Sequence, residues 1–304
     1  MKCFNCPNLC GVDRDKSVGA CGVDNNVKIA KYYLHPYEEP VISFNKGSGT
    51  IFFTGCSLKC VFCQNYELSR NARGKIITPS NLADIFKELE NLGADNINLV
   101  TPTHFTNEIV KAFEIYRPKI PVVYNTHGYE TIENLKLIDK YVDIYLPDLK
   151  FYNPNVSKRY TGKSNYFEIA SKAVKFMFES KKTVIENGKM LSGVIVRHLI
   201  LPLNRNDSAE ILKWFKENAV NGEYLSLMAQ YTPFGDIDNY PELKRKITKK
   251  EYDSVLNALF DLNIKNVFIQ ELDSASEKFI PVWDYRFIFS YARWNILLIY
   301  PQLR

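Results

Sequence analysis

Cys56, Cys60 and Cys63 fall at the spacing Cys-x3-Cys-x2-Cys, inside the stretch Thr50-Ile-Phe-Phe-Thr-Gly-Cys-Ser-Leu-Lys-Cys-Val-Phe-Cys-Gln-Asn65. One loop of that length can offer three thiolates to a single inorganic centre, as iron–sulfur sites require. A cube of four irons held by three thiolates keeps one iron open, and an open metal position can bind and activate a substrate, as catalytic zinc does. Spacing alone also admits a zinc site, a redox pair with a spare thiol, or packed core thiols.

A second group, Cys3, Cys6, Cys10 and Cys21, is interspersed with Pro7, Gly11, Gly19 and Gly22. Four thiolates with turn residues between them suit a small closed metal site. Four-coordinate zinc is the structural default, a second iron–sulfur cluster the competitor, and unligated thiols the remaining alternative. A closed site would staple this segment, or relay electrons if it held iron. Seven cysteines in two tight groups, with none after residue 63, do not look like a disulfide framework, so a reducing, cytoplasmic setting is expected. Ready oxidation of exposed clusters points to anaerobic conditions. Neither a signal-peptide core nor a stretch of about 18 apolar residues is present, so no membrane span is expected.

The 304 residues, 46% hydrophobic and 24% charged, suffice for one large barrel domain or two average ones. A net charge of +5 comes from interspersed residues, 39 basic and 34 acidic, which describes a solvated mixed surface rather than a nucleic-acid stripe. The one basic run, Lys244 to Lys250, lacks interleaved aromatics and reads as a helix lead-in.

From residue 50 short apolar runs alternate with helical patterns. Strands are expected at 50–54, 96–100, 121–124, 142–146, 193–200 and 223–228, with an extra short one at 27–33. Helices are expected at 80–92, 105–116, 131–139, 166–180, 207–218 and 249–260. Pro79-Ser80-Asn81 and Asp207-Ser208 look like helix starts, and Thr248-x2-Glu251 like a capping box. The fold class is therefore α/β, a parallel sheet with outer helices. About six strands would close it into a partial barrel.

In such folds active sites gather where strands end and helices begin. Those positions carry the three cysteines, Thr101-Pro-Thr103-His104, Asn125-Thr126-His-Gly128, Asp148-Leu-Lys150, Arg197-His198 and Gln230-Tyr231. Each could be an ordinary cap or turn residue. Together they suit a polar, zwitterionic ligand with a ribose.

The cysteine loop, with Phe62 before its last cysteine, resembles the signature of the radical S-adenosylmethionine (SAM) enzymes. Gly47-Ser-Gly-Thr-Ile-Phe-Phe-Thr-Gly55, Gln64-Asn65-Tyr66-Glu67 and Asn98-Leu-Val-Thr-Pro-Thr-His-Phe105 narrow the resemblance to the branch related to the pyruvate formate-lyase activating enzyme. The likeness runs from Cys3 to about Tyr285. It implies a partial (β/α)6 radical SAM barrel over residues 49–285, preceded by a cysteine-rich extension over 1–48 and followed by an apolar tail of unknown role over 286–304.

The resemblance further implies that Cys56, Cys60 and Cys63 ligate a 4Fe–4S cluster whose fourth iron takes the amine and carboxylate of SAM. One-electron cleavage would then yield methionine and a 5′-deoxyadenosyl radical. Phe62 matches an aromatic near the adenine, with a buried core aromatic as the alternative. Thr101 and Thr103, with His104 beside them, stand in place of the usual Gly-Gly-Glu segment at the methionine amine. Asn125 and Thr126 match a turn near the ribose and carboxylate. Asp148 would help hold a monovalent cation, and Lys150 would pair with the SAM carboxylate, unless the two form a structural ion pair. Arg197 would face SAM, while His198 could equally be a core histidine. Leu203 follows Arg197-His-Leu-Ile-Leu-Pro202 where relatives often have glycine.

A reductant such as flavodoxin or ferredoxin is the expected partner. The leading function is that of an activase, which abstracts hydrogen from a glycine of a glycyl radical enzyme. The alternatives are a radical SAM enzyme acting on a small molecule or another protein residue, and a non-enzymatic iron–sulfur carrier or sensor.

Overall fold

A computed structural model of the chain describes residues 2–275. Its elements in order are β1 (Lys28–His35), β2 (Ser48–Phe53), α1 (Tyr66–Asn71), β3 (Lys75–Ile76), α2 (Pro79–Asn91), β4 (Ile97–Val100), α3 (Thr106–Ile115), β5 (Val122–Thr126), α4 (Ile132–Ile138) and β6 (Ile144–Pro147). There follow α5 (Pro154–Thr161), α6 (Tyr166–Ser180), β7 (Val184–Glu186), β8 (Lys189–Leu199), α7 (Ser208–Asn218), β9 (Tyr224–Met228), α8 (Lys249–Asp261) and β10 (Val267–Ile269).

The strands make one ten-stranded sheet in the order β10-β9-β8-β6-β5-β4-β2-β1-β3, with β7 folded back on β8. From β2 through β4, β5, β6, β8 and β9 to β10 every neighbour is parallel. Among the described residues the two ends of the sheet are not joined, so the barrel is partial. The six expected strand–helix units are all present, and β10 adds a seventh parallel strand. β1, although inside the expected N-terminal extension, is paired antiparallel to β2. The 286–304 tail and Pro281-Val-Trp-Asp-Tyr285 lie outside the described residues.

Strand chemistry explains the layering. β4, β5 and β6 are buried along their length and mostly apolar, as strands covered on both faces tend to be. Alternate residues point to opposite faces. Ile97, Leu99, Val122, Tyr124, Tyr145, Val194 and Val196 join the large core under the helices, whereas Val123, Ile144, Leu146 and Ile195 pack with Ile42 and Met190 on the other face. By the same period Asn98, Asn125 and Arg197 share that inner face.

Helix starts follow local chemistry. Thr248 and Glu251 form the expected capping box on α8. On α2 the cap is Thr78, and Asn81 closes the box. Asp207 precedes α7 with a left-handed φ of 54° and makes no side-chain cap.

Candidate active site

The cysteine loop leaves β2 at its C-terminal end, where the neighbouring parallel strands also end. Cys56 and Cys60 are buried and Cys63 half-buried, all three as free thiols. Burial pushes all three thiols up, Cys63 to about 11. The Lys150 ammonium acts in the opposite sense on each of them. Phe62 is a buried core aromatic, met edge-on by Phe151, Tyr160 and Tyr231 at centroid distances of 6.0, 6.0 and 6.2 Å. Those rings brace the loop from beneath.

Beside the loop four of the expected residues form one network. Asp148 Oδ2 accepts from Lys150 Nζ at 2.5 Å, and its Oδ1 accepts from Arg197 Nε at 2.9 Å. Arg197 Nη2 also donates to Asn125 Oδ1 at 2.5 Å. Burial alone would raise the Asp148 carboxyl, but Arg197 and Lys150 outweigh it and hold the group below its usual value. Burial likewise opposes the Lys150 charge, and Asp148 and Cys60 more than restore it. The ion pair anticipated between Asp148 and Lys150 is present, in a charged knot within electrostatic reach of the thiols.

Thr101 ends β4 at φ 59°, a strained value for a β-branched residue, and it is half-buried. Thr103 and Thr126 differ from it. Their hydroxyls donate to Oε1 of the buried Glu130, Thr103 at 2.6 Å. Burial raises Glu130 to about 7.

His104 and His198 are buried and bonded to backbone carbonyls. His104 Nε2 donates to the Thr54 carbonyl at 2.7 Å, and His198 donates through Nδ1 to the Leu149 carbonyl while Nε2 accepts from Ser208. Tyr231 is buried and donates to the Leu243 carbonyl. Gln230 accepts from Gln270 at 3.3 Å.

Sequence reasoning missed four contributors. The Tyr166 hydroxyl at the start of α6 accepts the Lys150 N–H at 3.0 Å and lies 2.9 Å from the His127 and Asp148 carbonyls. Glu38 Oε1 accepts from Asn98 Nδ2 at 2.8 Å, and its Oε2 lies 3.8 Å from Arg197 Nη1. Glu39 is buried beside it, and burial lifts its carboxyl to about 7 against the pull of Arg197. Glu130 is the fourth.

The description Radical SAM superfamily matches residues 50–215, more than half of the chain. The chain belongs to the radical SAM superfamily. An uncharacterized protein of Methanocaldococcus jannaschii is 30% identical over 275 residues, covering 88% of this chain and 76% of that one. Among solved structures, Streptococcus suis SuiB bound to S-adenosylmethionine matches at 15% identity with a TM-score of 0.50, over 73% of this chain and 52% of that one. The chain therefore spans about half of SuiB, and the likeness is one of fold. A domain of a pyruvate-formate lyase-activating enzyme from Bacteroides vulgatus matches at 13% identity and TM-score 0.38, over 64% of this chain and 91% of that domain. Likeness at that level assigns no branch.

Radical SAM membership implies an enzyme with a 4Fe–4S cluster and SAM. Among the described residues no three or more His, Cys, Asp or Glu close into the sphere of a single metal ion. The fit to a cluster rests on the donor set: three soft thiols on one loop, shielded from water, with one ammonium nearby to offset the thiolate charge. These residues fit. No helix among the described residues is long and apolar enough to cross a membrane.

Proposed function

We propose that this radical SAM chain cleaves SAM reductively at a cluster held by Cys56, Cys60 and Cys63 and directs the resulting hydrogen abstraction at a glycine of a partner protein. The observation that carries the first part is the juxtaposition of the three thiols with the Asp148–Lys150–Arg197 knot. When bound, the cluster and SAM supply a 5′-deoxyadenosyl radical. The chain's own residues then have three tasks. Lys150 pairs with a carboxylate, and Asp148 fixes the directions of both Lys150 and Arg197, so binding needs no reorganisation of charge. Thr101, at the open end of β4, offers a hydroxyl near the methionine end. Phe62 and its three aromatic neighbours keep water from the underside of the loop.

The glycine target is supported by the motifs flanking the cysteines, which resemble those of activating enzymes. A second reading draws on Glu38, Glu39 and Asn98. Polar groups on the inner face below the Arg197 knot suit a small substrate carrying a cationic group.

The test is anaerobic reconstitution with iron and sulfide, reduction, and chromatography for 5′-deoxyadenosine, with Cys56→Ala as control. Product that vanishes in the control supports SAM cleavage, and its absence despite a reducible cluster overturns it. Deuterium passing from an α-deuterated glycine peptide into 5′-deoxyadenosine supports the activase reading. Transfer only from small amines supports the second.

A further inference from the structure

We propose that Cys3, Cys6, Cys10 and Cys21 hold a second iron–sulfur cluster, and that a one-electron protein donor reduces the catalytic site through it. The inference rests on the SAM-cleaving function proposed above and concerns how the electron arrives.

The two cysteine groups touch. The Cys56 N–H donates to the Cys21 carbonyl at 3.0 Å, so a single hydrogen bond joins the backbone of a ligand in one group to that of a ligand in the other. Gly55 makes the approach possible. At its φ of 81° a Cβ would stand 2.8 Å from the Cys21 oxygen and 3.0 Å from Val23. Further contacts clamp the N-terminal segment over the ends of β2 and β4. Asn8 Nδ2 donates to the Ser57 carbonyl at 2.8 Å, and the buried Arg14 donates to the His104 carbonyl and lies over the Phe105 ring.

Two of the four thiols, Cys10 and Cys21, face one place, and polar side chains approach the other two. A Cβ on Gly19 would meet Cys21 Sγ at 3.3 Å and Cys10 Sγ at 3.6 Å. Arg14 Nη1 lies 3.9 Å from Cys3 Sγ, and Asn8 Nδ2 lies 3.6 Å from Cys6 Sγ. Donors aimed at sulfur and one buried guanidinium are what a polythiolate centre requires for charge balance.

Exposure runs in one direction. Cys3 and Cys10 are half-exposed, whereas Cys6 and Cys21 are buried, and Cys21 is the one that touches Cys56. A zinc staple has no use for such a gradient, but a relay does. One electron enters from a low-potential carrier on the Cys3 and Cys10 side and one leaves through Cys21 to the catalytic site. No bond forms or breaks and no proton moves.

The test uses the full chain purified without oxygen. In the Cys56→Ala/Cys60→Ala/Cys63→Ala variant, about four irons per chain and a reducible cluster signal by electron paramagnetic resonance are expected. One zinc and no iron there would overturn the proposal. In Cys3→Ser/Cys10→Ser, 5′-deoxyadenosine formation driven by dithionite should persist while formation driven by reduced flavodoxin falls about tenfold or more. Equal loss or equal retention with both reductants would overturn the relay. Should that variant fold poorly, the iron content of the triple variant still decides. If the wild type holds iron in both groups yet cleaves no SAM with dithionite, it is the SAM-cleaving reading that fails.

Discussion

Arg197 on β8 reaches across to Asp148 at the end of β6, Nε to Oδ1 at 2.9 Å, and the backbone ties the same pair, since the Leu149 N–H donates to the Arg197 carbonyl at 2.9 Å. The carboxylate serves Lys150 with its other oxygen. Asp148→Ala therefore strands two partly buried cations, and breaking a fully buried pair, the upper bound here, typically costs about 3–5 kcal/mol. Isothermal titration should show SAM affinity reduced by at least about tenfold, with the denaturation midpoint lowered in parallel. Asp148→Asn keeps the shape but not the charge and should bind SAM with intermediate affinity. Unchanged affinity in both variants would remove Asp148 from the site.

Stability should peak near pH 6.5, because two sets of groups oppose each other. Burial lowers His35 and His198 to about 4 and His104 and His127 to about 3. The unfolded chain takes up these protons below about 6.5, so stability is lost as pH falls through that range. Glu39 and Glu130 are raised to about 7. The folded chain keeps their protons while the unfolded chain loses them, so their contribution is full at low pH and is lost as pH rises from about 4.5 to 7. In Glu130→Gln the second effect is reduced. The variant should gain on the wild type by about 3 kcal/mol between pH 4.5 and 7, measured as urea midpoints across pH. A constant difference would show that Glu130 is ionised throughout.

The parallel core was legible in the sequence because its signal is local. Each of the six expected strands is an apolar run, and each expected helix carries an apolar face, so the predicted bounds lie within a few residues of those observed. Elements without that signal were not legible. β10 has three residues, α1 has six, and α5 reads Pro-Asn-Val-Ser-Lys-Arg-Tyr-Thr, which is mostly polar.

The same division holds at the site. Asn125, Asp148, Lys150 and Arg197 were visible because strand ends in a parallel sheet converge whatever their sequence separation. Glu38 and Glu39 follow an antiparallel strand and meet Arg197 from nearly 160 positions away. Tyr166 looked like an ordinary first residue of a helix. Thr103 and Thr126 were correctly placed at strand ends, but only their bonds to Glu130 show where their hydroxyls point. Glu130 itself carried a weak signal, a carboxylate four residues beyond Thr126 in a strand-to-helix loop.

Leu203 occupies a position where relatives often have glycine. It stands at φ 61° with its side chain half exposed, and a left-handed conformation costs a residue with a Cβ about 1–2 kcal/mol. Glycine relieves that cost but loses about 0.5–1 kcal/mol of chain entropy. Its N–H would still donate to Glu251, as Leu203 does at 2.7 Å. Leu203→Gly should therefore raise Tm by about 1–3 °C without altering SAM affinity. A lowered Tm in calorimetry would mean that the leucine side chain contributes more than its exposure suggests.

Gly55 is the opposite case, a glycine whose replacement should be expensive. In Gly55→Ala the new Cβ is both in the left-handed region and 2.8 Å from the Cys21 carbonyl, and the obstacle is backbone, which cannot swing aside as a side chain would. Strain of this kind costs about 1–3 kcal/mol, so the denaturation midpoint should fall accordingly. The more specific reporter is the Cys56 amide. Its hydrogen exchange should accelerate as the bond to Cys21 opens, while the Thr101 amide, bonded to the Asn125 carbonyl at 2.9 Å, should keep its protection. Uniform acceleration at both would indicate global loosening, and no change at either would show that the two cysteine groups are held together by the Asn8 and Arg14 contacts alone.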